Sequence, residues 1–147
     1  IVYTGQGINQ VLPLIVRSYM QDDEPVLITI EEPETHLHPA AHGSLAQRFV
    51  ESYIENNNKN YFIETHSENF ILRIQRLIAD PEVKFTNEDV KIYYVNYEEH
   101  KFYSSIKEIE ISENGEIEDW PDNIFNESYD ELVKLKQAQK KRIEDVS

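Results

Sequence analysis

Val26-Leu27-Ile28-Thr29-Ile30 runs straight into Glu31-Glu32-Pro33-Glu34-Thr35-His36-Leu37-His38-Pro39. The apolar run is short and rich in β-branched residues, which predicts a strand buried on both faces. Two adjacent acids end it abruptly. Pro39 then suits the first turn of a helix running to about Tyr53 or Ile54, and Asn56-Asn57-Asn58 stops it. Tyr61-Phe62-Ile63 repeats the theme as a second short strand, ending in Glu64-Thr65-His66-Ser67. Ser67 is placed to cap a third helix, whose apolar face carries Phe70, Ile71, Ile74, Leu77 and Ile78. Upstream, Ile8, Val11, Leu12, Ile15, Val16 and Tyr19 keep a helical period, with Pro13 inside it. Residues 1–80 therefore read helix, strand, helix, strand, helix, the α/β rhythm of a parallel sheet. In such sheets polar residues at the carboxyl ends of strands face a ligand crevice.

Beyond Pro81 the pattern changes. Val90 to Tyr97 and Lys101 to Ile111 alternate apolar and polar residues, and Glu98-Glu99-His100 joins them as a predicted hairpin. Asn114-Gly115 is a further tight turn. A loop with Trp120 follows, and residues 127–145 form a charged, weakly amphipathic helix. Trp120, Pro121 and Phe125 are expected to pack as a small cluster. The hairpin tyrosines Tyr93, Tyr94, Tyr97 and Tyr103 are expected to serve packing rather than base stacking, because acids surround them.

The chain has 147 residues, enough for a core without staples. It contains no cysteine, which excludes a disulfide scaffold, a thiolate zinc site and a cysteine nucleophile and fits a reducing, cytoplasmic setting. No apolar run approaches the ~18 residues of a membrane span, and no secretory signal opens the chain. Asp and Glu outnumber Lys and Arg 28 to 14, a net charge of −14, so the summed field repels phosphate backbones. The basic stretch Lys134, Lys136, Lys140, Lys141 and Arg142 reads as a solvated helix face. The chain starts at Ile1 and its one methionine is Met20, which points to a piece of a longer polypeptide.

An apolar strand ending in two acids resembles the Walker B arrangement of nucleotide hydrolases. The continuation through His38-Pro39 resembles the EEPE-x-HLHP form of the extended Walker B and D-loop found in overcoming-lysogenisation-defect (OLD) nucleases and related ABC-type ATPases. Thr4-Gly5-Gln6-Gly7-Ile8-Asn9-Gln10 resembles that group's variant of the signature motif. Ile63-Glu64-Thr65-His66-Ser67 resembles its H-loop. The three motifs fall in family order, and the resemblance covers residues 1 to about 80. Residues 81–147, with Asp119-Trp120-Pro121 and Phe125, are similar to an uncharacterised C-terminal domain that follows such cores in some bacterial predicted ATPases.

The resemblance implies ATP and Mg2+ as cofactors and assigns roles by motif. Glu31 would meet the metal, Glu32 would act as base on the lytic water, and His66 would hydrogen-bond the γ-phosphate. Thr4, Gly5, Gln6, Gly7 and Gln10 would face the nucleotide of a second subunit, with His38 at the subunit interface. Glycines at a helix N-terminus let backbone amides approach a phosphate. One departure is Glu31, where the family's usual first acid is Asp; the extra methylene moves the carboxylate out by ~1.5 Å.

No G-x-x-x-x-G-K-[ST] occurs in the sequence. The phosphate-cradling loop is therefore expected upstream, in an N-terminal portion of the same protein, and this piece alone is expected neither to hold ATP tightly nor to hydrolyse it. A second ATPase subunit, in a homodimer, completes the expected partners. The group leans towards DNA repair and phage defence, so DNA is a partner of the full protein but not through this acidic piece, and no membrane is expected. No Asp-x-Asp is present, so a Toprim nuclease is not expected. The fold class is α/β, the C-terminal part of an ABC-type head (1–80) with a hairpin-and-helix appendage (81–147). Two other readings stay open: a silent interaction subunit lending a signature motif in trans, and a metal site built from Glu34, His36, His38 and His42, ligand types that suit zinc.

Overall fold

The structure, a computed structural model, describes residues 5–98, 102–118, 120–121 and 134–137. The elements are α1 (Gln6–Tyr19), β1 (Val26–Glu31), α2 (Pro39–Glu55), β2 (Lys59–Glu64), α3 (Glu68–Ala79), β3 (Ile92–Glu98) and β4 (Tyr103–Ile109). They divide into two compact units: residues 1–91 with 111–116, and residues 92–110 with 117–147.

In the first unit β1 and β2 pair in parallel, in register from Val26 opposite Lys59 to Glu31 opposite Glu64. With α2 between them in the chain they form a βαβ unit. α2 starts at Pro39, whose missing N–H costs nothing in a first turn. It buries Leu45, Ala46, Phe49 and Val50. α3 buries Phe70, Ile74, Leu77 and Ile78, the i, i+4, i+7, i+8 stripe that its sequence announces. Phe49 joins the layers, stacked on Tyr61 at 5.3 Å and 6.3 Å from Phe70 between ring centroids. The Ser67 hydroxyl accepts the Phe70 N–H at 3.2 Å and caps α3 as predicted. The turn at Asn114-Gly115 belongs to this unit. Gly115 has φ of +80°, and a Cβ there would meet the Gln75 carbonyl oxygen at 2.3 Å, so only glycine fits.

Two polar clusters tie the far end of the unit together. Arg17 donates both terminal nitrogens to Asp22 at 2.8 Å, and Asn58 donates to the Asp22 carbonyl at 2.8 Å. Lys59 has no exposed surface. Its Nζ donates to the Ser18 carbonyl at 2.8 Å and to Ser52 Oγ at 3.1 Å, and the Tyr61 hydroxyl donates to the same Oγ at 2.8 Å. Burial lowers the Lys59 pKa, because the charged form loses its water.

One sequence expectation is corrected. β1 is not buried on both faces, and β2 alternates in the same way. Ile28, Ile30, Tyr61 and Ile63 turn inward to the core, but the alternate residues face out, with Leu27 65% and Phe62 64% exposed. Contiguous apolarity records what a strand is fit to bury, and here α2 and α3 cover a single face. On α1 a second apolar stripe, Ile8, Leu12, Val16 and Tyr19, is likewise exposed.

In the second unit β3 and β4 form the predicted hairpin, antiparallel from Ile92 opposite Ile109 to Glu98 opposite Tyr103. Tyr93, Val95, Tyr97 and Ile106 are exposed on it. Residues 134–137 are helical. The rest of the expected helix over 127–145 lies outside the described residues, as does Phe125 of the expected tryptophan cluster.

Candidate functional site

Parallel pairing brings the carboxyl ends of β1 and β2 side by side, and the ladder runs one step further. The Glu32 N–H donates to the Glu64 carbonyl at 2.8 Å. The chain then turns sharply, with φ of +41° at Glu32 and +65° at His36. Neither residue is glycine, so both positions cost backbone energy that the surrounding bonds must hold, a pattern concentrated at functional sites. The Thr35 N–H donates to the Glu32 carbonyl at 3.0 Å and the Leu37 N–H to the Glu34 carbonyl at 2.9 Å.

This turn aims the Glu32 carboxylate at the loop after β2. Glu32 Oε1 lies 3.4 Å from His66 Nε2, an ion pair whenever the imidazole is protonated, and both side chains are exposed, at 49% and 73%. Thr35 Oγ1 donates to Glu32 Oε2 at 2.9 Å and fixes the carboxylate from its other side. The two residues expected to be catalytic thus meet, although they are far apart in sequence.

Glu31 stands on the outward face of β1, directly opposite Glu64, and both are exposed. Carboxylate oxygens are the hard ligands that Mg2+ takes, through one or two side chains with the rest from water and phosphate. Glu31 and Glu64 suit that arrangement, and Glu64 is a neighbour that the sequence reading did not single out. Among the described residues no group of three or more His, Asp or Glu could hold a metal, so a site closed entirely by protein ligands is not built here. The residues of the alternative zinc reading scatter. Glu34 turns inward, His36 is exposed, and His38 Nδ1 accepts the Ala40 N–H at 3.2 Å as the cap of α2. His42 instead bonds Ser67 Oγ at 2.7 Å and the Leu37 carbonyl at 3.3 Å.

The glycine-rich stretch divides. Gly5 is exposed, with nothing within 4 Å of an added Cβ, and it stands as the N-cap of α1. Gly7 is tightly used within the chain: a Cβ there would meet the His36 carbonyl oxygen at 2.4 Å. Its missing side chain lets α1 seat on the turn that carries Glu32. Gln10 is exposed on α1 and Gln6 lies in its first turn, while Thr4 is outside the described residues.

Three further residues complete the arrangement. Glu34 Oε1 accepts from Thr65 Oγ1 and from the His66 N–H, both at 2.7 Å. Thr65, in turn, accepts the Ser67 N–H at 3.1 Å. Glu34 carried a sequence signal only as a possible metal ligand; its partners lie 31 and 32 positions away, and nothing local announces them.

Residues 1–71 match the family model of the AAA ATPase domain, and residues 85–135 match that of a protein of unknown function (DUF3696). Neither the curated proteins nor the solved structures gave a match. Residues 1–71 are thus similar to an AAA ATPase domain, and their structure is α/β, with parallel strands that end in the acids described. No described helix is long and apolar enough to cross a membrane.

Proposed function

We propose that this chain supplies the catalytic-acid half of an ATP-hydrolysing site, with Glu32 as the base on the attacking water. The observation that carries the reading is the pairing of the Glu32 carboxylate with His66 at 3.4 Å, at the open carboxyl ends of two parallel strands. A carboxylate there can take a proton from water. The imidazole can donate to a developing γ-phosphate charge and, by its contact with Glu32, report whether phosphate is present. Mg2+, when bound, supplies charge neutralisation between the phosphates, with Glu31, supported by Glu64, as its protein ligand.

In this reading the chain is a Walker B and H-loop portion, and Thr4, Gly5, Gln6, Gly7 and Gln10 form a signature segment for the nucleotide of a second subunit in a homodimer. The exposed, unobstructed Gly5 supports that use. The P-loop comes from an N-terminal portion of the same protein. Support for a covering portion comes from the bare sheet face with Leu27 and Phe62, since parallel sheets are ordinarily covered on both faces. The chain alone then neither holds ATP tightly nor turns it over.

The test is Glu32→Gln in the full-length protein, read as single-turnover hydrolysis beside ATP affinity. Hydrolysis is expected to fall by about 10²-fold or more, the scale of general-base loss, while ATP affinity is kept. Retained turnover with normal ATP binding refutes the role of Glu32.

A further inference from the structure

We infer that Glu34 is a positioning residue: its buried carboxylate holds the backbone of His66 so that the imidazole stands against Glu32. For its consequence in turnover the inference rests on the hydrolase reading above; its structural half does not.

Glu34 is 7% exposed, an unusual place for an acid. Burying a carboxylate is costly unless hydrogen bonds compensate it. One oxygen is compensated twice, by Thr65 Oγ1 and by the His66 N–H, each at 2.7 Å, the short range of charge-assisted bonds. The other oxygen, Oε2, is buried with no partner among the described residues. For stability alone, a group with no orphaned oxygen would serve better at this position. What Glu34 gains for this cost is a grip on the main chain of His66 itself.

The grip is part of a closed circuit. Thr65 Oγ1 accepts the Ser67 N–H. Ser67 Oγ bonds His42 Nδ1, His42 Nε2 bonds the Leu37 carbonyl, and the Leu37 N–H returns to the Glu34 carbonyl. The assignment with a proton on Nε2 satisfies every link: Nε2–H donates to Leu37, the Ser67 hydroxyl donates to Nδ1, and Ser67 Oγ still accepts the Phe70 N–H. The turn that aims Glu32 and the loop that carries His66 are thereby one piece. Glu34 spans the two directly and grips the main chain of the loop.

The test uses Glu34→Ala and Glu34→Gln. In the 147-residue chain, amide hydrogen exchange at His66 is expected to quicken about tenfold in Glu34→Ala, the loss of one good bond, and to stay near wild type in Glu34→Gln, whose amide oxygen still accepts. In the full-length protein Glu34→Ala is expected to lower kcat about tenfold with KM for ATP unchanged, a loss larger than its fraction unfolded accounts for, and Glu34→Gln to restore most of it. Should Glu34→Ala fail to fold, Glu34→Asp keeps the charge but withdraws it by one bond, and the same losses are expected. A folded variant lacking the bond but keeping wild-type His66 exchange overturns the inference. So does a kcat loss that merely follows the fraction unfolded, or a Glu34→Gln as impaired as Glu34→Ala. If exchange at His66 responds but the wild-type full-length protein hydrolyses no ATP, the hydrolase reading falls and the anchoring of His66 by Glu34 stands.

Discussion

Gly7→Ala separates two uses of a glycine. An added Cβ would sit 2.4 Å from the His36 carbonyl oxygen and 3.1 Å from its carbon, about 1 Å inside ordinary contact. The obstacle is backbone, and backbone already held at φ of +65°, so it cannot yield as a flexible side chain would. Forcing a methyl into such a place costs typically ~1–3 kcal/mol. Alanine returns up to about 1 kcal/mol through helix propensity, less here because Gly7 lies in the first turn. A net loss of ~1–2 kcal/mol remains, which for a unit of this size lowers the melting midpoint by about 4–8 °C per kcal/mol. Gly5→Ala is the control. Gly5 has φ of −57° and open space around it, and its loss as a cap is expected to cost under ~1 kcal/mol. Urea melts of the three chains, followed by far-UV circular dichroism, decide the matter. Gly7→Ala as stable as wild type would refute the close seating of α1 on the turn, and with it the view that Gly7 serves the fold first.

Three other changes probe the unit. Ser67→Ala removes the α3 cap and the partner of His42, and is expected to destabilise the chain by ~1–2 kcal/mol; a melt within error of wild type contradicts the cap. Lys59→Met tests the buried cation by pH. Burial places the folded pKa of Lys59 below the ordinary ~10.4, so between those values the unfolded chain binds more protons and wild-type stability rises with pH. The stability difference between wild type and Lys59→Met should therefore move in favour of wild type as pH climbs through that window, and a difference independent of pH counts against a charged, buried Lys59. Phe62→Lys acts on the bare sheet face. In the chain alone it is expected to shift stability by no more than about 0.5 kcal/mol, whereas on the proposed reading it should abolish ATP turnover once the P-loop portion is joined, by keeping that portion off the face. Global unfolding of the chain alone would show that Phe62 is already packed.

Much of the first unit could be read from residue order because local chemistry writes it. Pro39 and Ser67 mark helix starts by their own backbone rules. Phe70, Ile74, Leu77 and Ile78 mark a face by their spacing. The meeting of Glu32 with His66 was foreseeable in kind, since strand ends in a parallel sheet gather polar groups. Other features depend on partners remote in sequence, and no local pattern carries them. Glu34 looks like a third acid in an exposed run until Thr65 and His66 close over it. Gly7 looks like a glycine needed only for phosphate approach until the His36 carbonyl, 2.4 Å from where its Cβ would lie, shows that the fold needs it too.

The bare sheet face is the most telling of these differences. Apolar strands that are fit for burial on both sides, yet covered on one, keep Leu27 and Phe62 in water at a cost of roughly 1–2 kcal/mol each in forgone burial. The same outward face carries Glu31 opposite Glu64 at its carboxyl end. A portion that covered Leu27 and Phe62 would therefore arrive beside the two acids proposed to hold the metal. Covering the face and completing the site would be a single event. The pair proposed to be catalytic, Glu32 and His66, needs no such arrival, because the two already meet at 3.4 Å within the chain. On the proposed reading, half of the chemistry is preorganised and half depends on assembly, which predicts that His66 exchange is the same in this chain alone and joined to the proposed P-loop portion, while exchange along β1 slows only in the joined form.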